Sequence, residues 1–173
     1  IAAVALDTEP ETVEMLDWVF RDGEQLMVDG AVQVNKTTGG NVNRQLFDAV
    51  DANGIPDEVA PNYNQLWVES LYELVKYLAG YDKYPECDLY NHPKYMKMNT
   101  VVPEMLMRRW AMPQIGDSGA TAKDEIKMLK DNNRYVHGFM YTKDPIFAQV
   151  LYMRNLTFLQ CLQFDQVYST FVF

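Results

Sequence analysis

The residues best suited to chemistry crowd into one stretch, Asn53-Gly-Ile-Pro-Asp-Glu-Val-Ala-Pro-Asn-Tyr-Asn-Gln-Leu-Trp67. It holds two carboxylates (Asp57, Glu58), a phenol (Tyr63) and the carboxamides of Asn62 and Asn64 on either side of that phenol. Paired carboxylates can act as general acid and base, as a glycoside hydrolase requires. Neighbouring residues on an extended loop point to opposite sides, so Asp57 and Glu58 are poorly placed to act together on one bond. One of them instead anchors the loop or orients Tyr63 or an arginine, and Glu58 either pairs in this way or stays solvated. Tyr63 has two readings of its own: a group that exchanges protons with a ligand, or a packing residue with its hydroxyl on backbone.

Other candidates are more scattered. Arg108-Arg109 is the best local basic pair, and guanidinium groups suit bidentate binding of a carboxylate or sulfate. Asp117 and Ser118 lie in the glycine-bounded segment Gly116-Asp-Ser-Gly119, which reads as structural or substrate-lining, and Ser118 lacks a nucleophile's partners. His92, in Asn91-His-Pro93, reads as a capping or surface residue. His137 reads as lying at a helix end, where the dipole favours a cation. No Cys-x-x-Cys, His-x-x-x-His or Glu-x-x-His spacing calls for a metal, and no glycine run is long enough to cradle a phosphate, so no cofactor is expected. Asn35-Lys-Thr37 and Asn155-Leu-Thr157 fit the N-glycosylation pattern.

The elements that must position these groups read as helices. Thr8-Glu-Pro-Glu11 is a capping box for a helix with Val13, Leu16, Phe20 and Leu26 or Met27 on one face, ended or bent at Gly23. Residues 29–40 form a loop or short hairpin broken at Gly39-Gly40. A short helix over 41–50 presents Val42, Leu46, Phe47 and Val50. Asn53-Gly54 is a turn, and Pro61 opens a helix over 62–79 with Leu66, Trp67, Leu71, Leu74, Val75 and Leu78 as its stripe, closed by Gly80. Another helix starts at Asn91-His-Pro93, uses Tyr95, Met96, Val101, Met105 and Leu106, and is kinked or divided by Pro103. Thr121 with Asp124 caps a further helix reaching about Tyr135, and Asp144-Pro145 opens the last, with Phe147, Val150, Leu151 and Leu156. About six helices with almost no period-two alternation make an all-α chain of antiparallel hairpins.

Three segments carry a resemblance: the Gly54-Ile-Pro-Asp-Glu-x-Ala-Pro-x-Tyr-Asn-x-x-Trp67 run, Asp88-Leu-Tyr-Asn-His-Pro-Lys-Tyr95, and Pro113-Gln-Ile-Gly-Asp-Ser-Gly119. Together they resemble the bacterial heparinase II/III-like polysaccharide lyases. That resemblance implies an incomplete (α/α) toroid over residues 1–173, with a β-sandwich domain following and the rest of a longer parent chain completing the fold. It implies β-elimination of a uronic-acid-containing acidic polysaccharide, in which the C5 proton is removed and the C4 oxygen expelled. Tyr63 would be the acid/base, which needs its phenol drawn below the ordinary pKa of about 10. Asn62 or Asn64 would neutralise the substrate carboxylate as it gains charge. Glu58, Trp67, Arg108, Arg109 and Asp117 would contact substrate. The family's upstream catalytic Asn or His has no counterpart before Tyr63. Periplasmic or secreted placement follows from the same resemblance. The alternatives are a hydrolase using Asp57 or Glu58 with Asp117, and a non-catalytic carbohydrate-binding or helical scaffold domain.

Composition narrows the partners. With 173 residues and 48% apolar content the chain can bury a real core. A net charge of −9 repels phosphates and argues against nucleic acid, and an acidic polymer would need a local basic patch. Eleven Tyr, eight Phe and three Trp suit sugar stacking as well as core packing. No apolar run is long enough to span a bilayer, and no signal peptide is visible. Cys87 and Cys161 read as two buried thiols, with a disulfide as the other option. The first residues, Ile1-Ala-Ala-Val-Ala-Leu6, read as the tail of a helix, and the aromatic C-terminal run has no stop signal, so both ends read as cut.

Overall fold

The computed structural model describes residues 7, 9–22, 26–28, 31–33, 41–106, 112–113, 115–117 and 132–153. These residues are mostly helical, with one short hairpin. Helix α1 (Thr12–Asp17) runs into a π-helical turn, Trp18–Asp22. Strand β1 (Leu26–Val28) pairs antiparallel with β2 (Ala31–Gln33), Met27 opposite Val32. Then come α2 (Val42–Asp48), α3 (Pro61–Leu78), the 3-10 turns Pro85–Cys87 and Leu89–Asn91, α4 (Pro93–Met105), α5 (Asn132–Thr142) and α6 (Pro145–Met153). Helix α3 packs on α4, α5 on α6, and α4 on α6.

Local chemistry sets most of the boundaries. Asn41 caps α2 by accepting from the Arg44 amide at 2.8 Å, and its Nδ2 donates to the Arg21 carbonyl, tying α2 to the π-helical turn. Pro61 fills the first position of α3, where no amide is needed, and Gly80, at φ +75°, follows its last residues. Asp144 Oδ1 accepts from the Ile146 amide at 2.9 Å and Pro145 starts α6, as the sequence indicates.

Several expectations need correction. Leu26 and Met27 belong to β1 and do not extend α1, because the π-helical turn ends that helix at Asp22. Glu11 stands at the N-cap of α1 without a side-chain cap bond, and Thr8 lies outside the described residues. Val13, Phe47 and Leu66, all expected on apolar faces, are exposed. The buried face of α3 instead runs Pro61, Asn64, Gln65, Val68, Tyr72, Val75, Leu78. It is turned toward Asn64 and Gln65 because Gln65 meets the buried Arg134, whose Nη2 donates to its Oε1 at 2.8 Å. Helix α2 stops at Asp48, after which Val50 pairs with Pro56 across the turn. Pro103 does not divide α4, since the bond it removes lies near the end of a helix that stops at Met105. His92 makes no capping bond, and α5 runs on to Thr142, which leaves His137 in mid-helix. Residues 118–131, with the expected Thr121–Asp124 cap, lie outside the described residues, as do Gly39-Gly40 and Leu156.

Among the described residues the buried side chains form two clusters. One gathers Leu16, Phe20, Leu46, Val68, Tyr72, Val75, Leu78, Leu89, Tyr95 and Met98 with their neighbours. The other gathers Val101, Val102, Met112, Tyr135, Val136, Phe147, Val150 and Leu151. Met96 packs against both, so α4 contributes its first half to one cluster and its second half to the other. Cys87 is a fully buried free thiol in the first cluster, while Cys161 lies outside the described residues.

Candidate functional site

The stretch ahead of α3 is a built turn. Asp51 Oδ1 accepts from the amides of Asn53 at 2.8 Å and Ile55 at 2.9 Å, while the Ile55 carbonyl accepts from the Asp51 amide at 2.9 Å. Gly54 has φ +84°, and a Cβ there would lie 2.4 Å from both Lys97 C and Met98 N. The turn therefore rests directly on the α4 backbone, and only glycine allows it. Beyond Pro56 the chain makes a tight γ-turn: the Ala60 amide donates to the Glu58 carbonyl at 2.6 Å around Val59, whose φ is +60°. A β-branched residue in this region stores roughly 1–3 kcal/mol of strain. The strained turn leaves Asp57 and Glu58 in solvent and sets the direction in which α3 begins.

The structure brings most of the sequence candidates to one end of α3 and separates others. Asn62 is exposed and Tyr63 half-buried on the first turn. Trp67 follows one turn later on the same face as Tyr63. The segment bearing Asp117 abuts this start, because a Cβ on Gly116 would lie 3.3 Å from the Ala60 Cβ. Asn64 points inward: it is 2% exposed, its Nδ2 lies 3.5 Å from the Gly54 carbonyl, and its Oδ1 is buried without a hydrogen bond among the described residues. Asp57, Glu58 and Asp117 are all exposed. Arg108, Arg109 and Ser118 lie outside the described residues.

Beside this end lies an open groove of about 460 Å³ between the π-helical turn, α2 and α3. Trp67, Ser70 and Leu71 line it from α3, Trp18 from the π-helical turn, and Asn41 and Gln45 from α2 and its cap. Tyr63, Trp67 and Ser70 follow helical spacing, so one face of α3 leads from the polar loop into the groove. Trp18 is 62% exposed. Its place here follows from the π-helical turn, which has no signature in the local sequence, so sequence reasoning missed it. π-helical turns occur often at functional sites.

Two further clusters escaped the sequence reading. The Tyr90 hydroxyl lies 3.4 Å from His137 Nδ1, and Tyr72 and Tyr141 set their rings edge-on to the same imidazole. Burial pushes the Tyr90 phenol well above its ordinary range and holds His137 below its own. Both groups are thereby kept neutral, the opposite of an activated phenolate, and the cluster packs α5 against the 3-10 turn before α4. Asp88 organises that turn, accepting from the amides of Gly80 and Tyr90, each at 3.1 Å. Behind the first turns of α3 sits Arg134, 1% exposed, bonded to Gln65 and at 2.8 Å to the Tyr135 hydroxyl.

Among the described residues no three His, Cys, Asp or Glu side chains converge as a metal site, and no helix is long and apolar enough to cross a membrane. No family model, no curated protein and no solved structure matches the chain.

Proposed function

We propose that this chain binds a uronic-acid-containing acidic polysaccharide along the outward face of α3 and takes part in its cleavage by β-elimination, as the resemblance to heparinase II/III-like lyases implies. One observation carries the reading: Tyr63, Trp67 and Ser70 share a helix face that runs from a strained, carboxylate-bearing loop into a groove walled by two tryptophans. Tyr63 is the acid/base, taking the proton from C5 and returning one to the departing C4 oxygen. Asn62, exposed beside it, neutralises the substrate carboxylate; Asn64 is buried too deeply for that role. Trp67 stacks on a sugar ring, Arg108 and Arg109 contact acidic groups, and Glu58 and Asp117 stand at the rim. The helical hairpins then form part of an (α/α) toroid acting in the periplasm or outside the cell.

A second reading, a carbohydrate-binding domain without turnover, is favoured by the groove itself, whose polar lining is carboxamide, hydroxyl and indole. The hydrolase reading draws no support from the groove, since none of Asp57, Glu58 and Asp117 lines it. The test is a panel of uronic-acid polysaccharides followed by the ultraviolet absorbance of the unsaturated product, with Tyr63→Phe in parallel. Absorbance that grows with the wild type and vanishes with Tyr63→Phe supports the lyase. Reducing ends without absorbance indicate a hydrolase, and binding without either leaves the binding domain.

A further inference from the structure

We infer that Arg134 is a positioning residue: through Gln65 it fixes the rotation of α3 about its own axis, and so decides that Tyr63 and Trp67 face outward. The bearing of this lock on catalysis rests on the reading of Tyr63 as the acid/base; the lock itself is tested apart from that reading.

The rotation observed is not the one that hydropathy favours. Trp67, Leu71 and Leu74 form an apolar face roughly 90° round the helix from the buried one, at about 100° per residue. Burying that face would turn Tyr63 toward the core and carry Gln65, about 160° from Tyr63, out to solvent. The protein does the reverse. It buries the carboxamides of Asn64 and Gln65 and leaves Leu66 54% exposed. Asn64 gains little by this, since its Oδ1 has no hydrogen bond among the described residues. Desolvating two carboxamides is unfavourable unless partners meet them, so a specific contact must hold the helix in this orientation.

Gln65 and Arg134 supply that contact. The Arg134 Nη2 donates to Gln65 Oε1 at 2.8 Å, a bond strengthened by the guanidinium charge. Arg134 is in turn held on α5: the same Nη2 donates to the Tyr135 hydroxyl at 2.8 Å, and the guanidinium carbon lies 4.7 Å from the centre of the Tyr135 ring. Tyr135 is fully buried beside Phe147 of α6, their ring centres 6.1 Å apart. The guanidinium is thus fixed to the α5–α6 pair, and α3 is the part that can turn. Apolar side chains in the same space would be easier to bury, but their contacts are non-directional and would serve either rotation. A hydrogen bond to one carboxamide serves only one, as buried polar groups do when they set helix register.

The test reads the rotation in the full chain from two reporters, Glu69→Cys and Ser70→Cys, introduced singly, with labelling by a thiol reagent located by peptide mass. Ser70 is exposed and Glu69 half-buried, so the Ser70→Cys thiol should label faster. Adding Arg134→Met should reverse that order, because the turned helix protects position 70 and exposes position 69. Gln65→Ala breaks the same bond from α3 and should reverse it too. Combining Arg134→Met with Gln65→Leu makes position 65 apolar and should restore the original order. Circular dichroism shows whether each variant folds, and if one single variant does not, the other decides. Where cleavage is measurable, Arg134→Met should lower kcat far more than it changes KM, and the double variant should recover it. Four results overturn the lock: an unchanged order, labelling that quickens at both positions together, no restoration in the double variant, or loss of fold in both single variants. A reversed order with cleavage unaffected, or in a chain that cleaves no polysaccharide, supports the lock and refutes the role given to Tyr63.

Discussion

Gly54→Ala offers the sharpest quantitative test of how the loop is held. The substitution acts twice. At φ +84° a residue with a Cβ sits in the left-handed region, which costs about 1–2 kcal/mol. That Cβ would also stand 2.4 Å from Lys97 C and Met98 N and 2.7 Å from Lys97 O, all backbone atoms inside α4 that no side-chain rotation can move. Relief requires the turn to lift by about 1 Å, straining the bonds from the Asn53 and Ile55 amides to Asp51, and crowding of this kind costs about 1–3 kcal/mol. The sum is about 2–5 kcal/mol. Gly80→Ala supplies the control: its φ is +75°, but the nearest atom to its Cβ is Tyr141 Cε1 at 3.5 Å, an ordinary contact. It should lose about 1–2 kcal/mol, from conformation alone. Urea unfolding followed by circular dichroism, at matched slopes, measures both. Equal losses for the two variants would refute the close approach of the turn to α4, and losses below about 0.5 kcal/mol for both would refute the conformational argument as well.

Val59→Asn should stabilise the protein by about 1 kcal/mol in the same assay, because Asn tolerates the left-handed region and Val59 is half-exposed; unchanged or lowered stability would refute the strain. Burial pushes the Cys87 thiol up to about 11, so it should resist a thiol-specific reagent in the folded protein and react on unfolding, with fast labelling of the native chain as the contrary result. Burial also holds His92 and His137 below the ordinary 6.5, so below that pH the unfolded chain takes up protons that the folded chain does not. Stability should therefore fall as pH drops from about 6.5 toward the folded values and be flat above it from this source. Unfolding midpoints against pH check this, and the dependence should be weaker in His137→Gln.

The legible part of this chain was its punctuation. Pro61, Gly80 and the Asp144-Pro145 pair act through their own backbone and so mark helix ends wherever they stand. Asn53-Gly54 likewise announced its turn, although nothing local showed that the turn would lie on α4. The faces were less legible. Leu66 is exposed while Gln65 is buried because Arg134, 69 positions away, makes the buried amide favourable, and hydropathy along a helix carries no record of such a partner. The site divided along the same line. Tyr63 and Trp67 are neighbours by helical spacing and could be paired from sequence, but Trp18 reaches the groove through a π-helical turn that its own residues do not advertise.

The way α4 is shared between the two buried clusters bears on how the molecule opens. A helix whose first half is packed by Tyr95 and Met98 and whose second half is packed by Val101 and Val102 cannot be released by loss of either cluster alone. The α5–α6 hairpin places its buried apolar residues in the second cluster and touches the first only through the His137 and Tyr141 rings, so it can detach as a partial unfolding unit by giving up the second cluster and those ring contacts while α4 stays clamped by the first. Amide hydrogens in the middle of α4 should therefore be the slowest to exchange with solvent, released only by global unfolding. The Gly54 turn, which leans on that same stretch, would then borrow the persistence of the most durable helix, and the polar loop would keep its shape through excursions that dissolve α5 and α6.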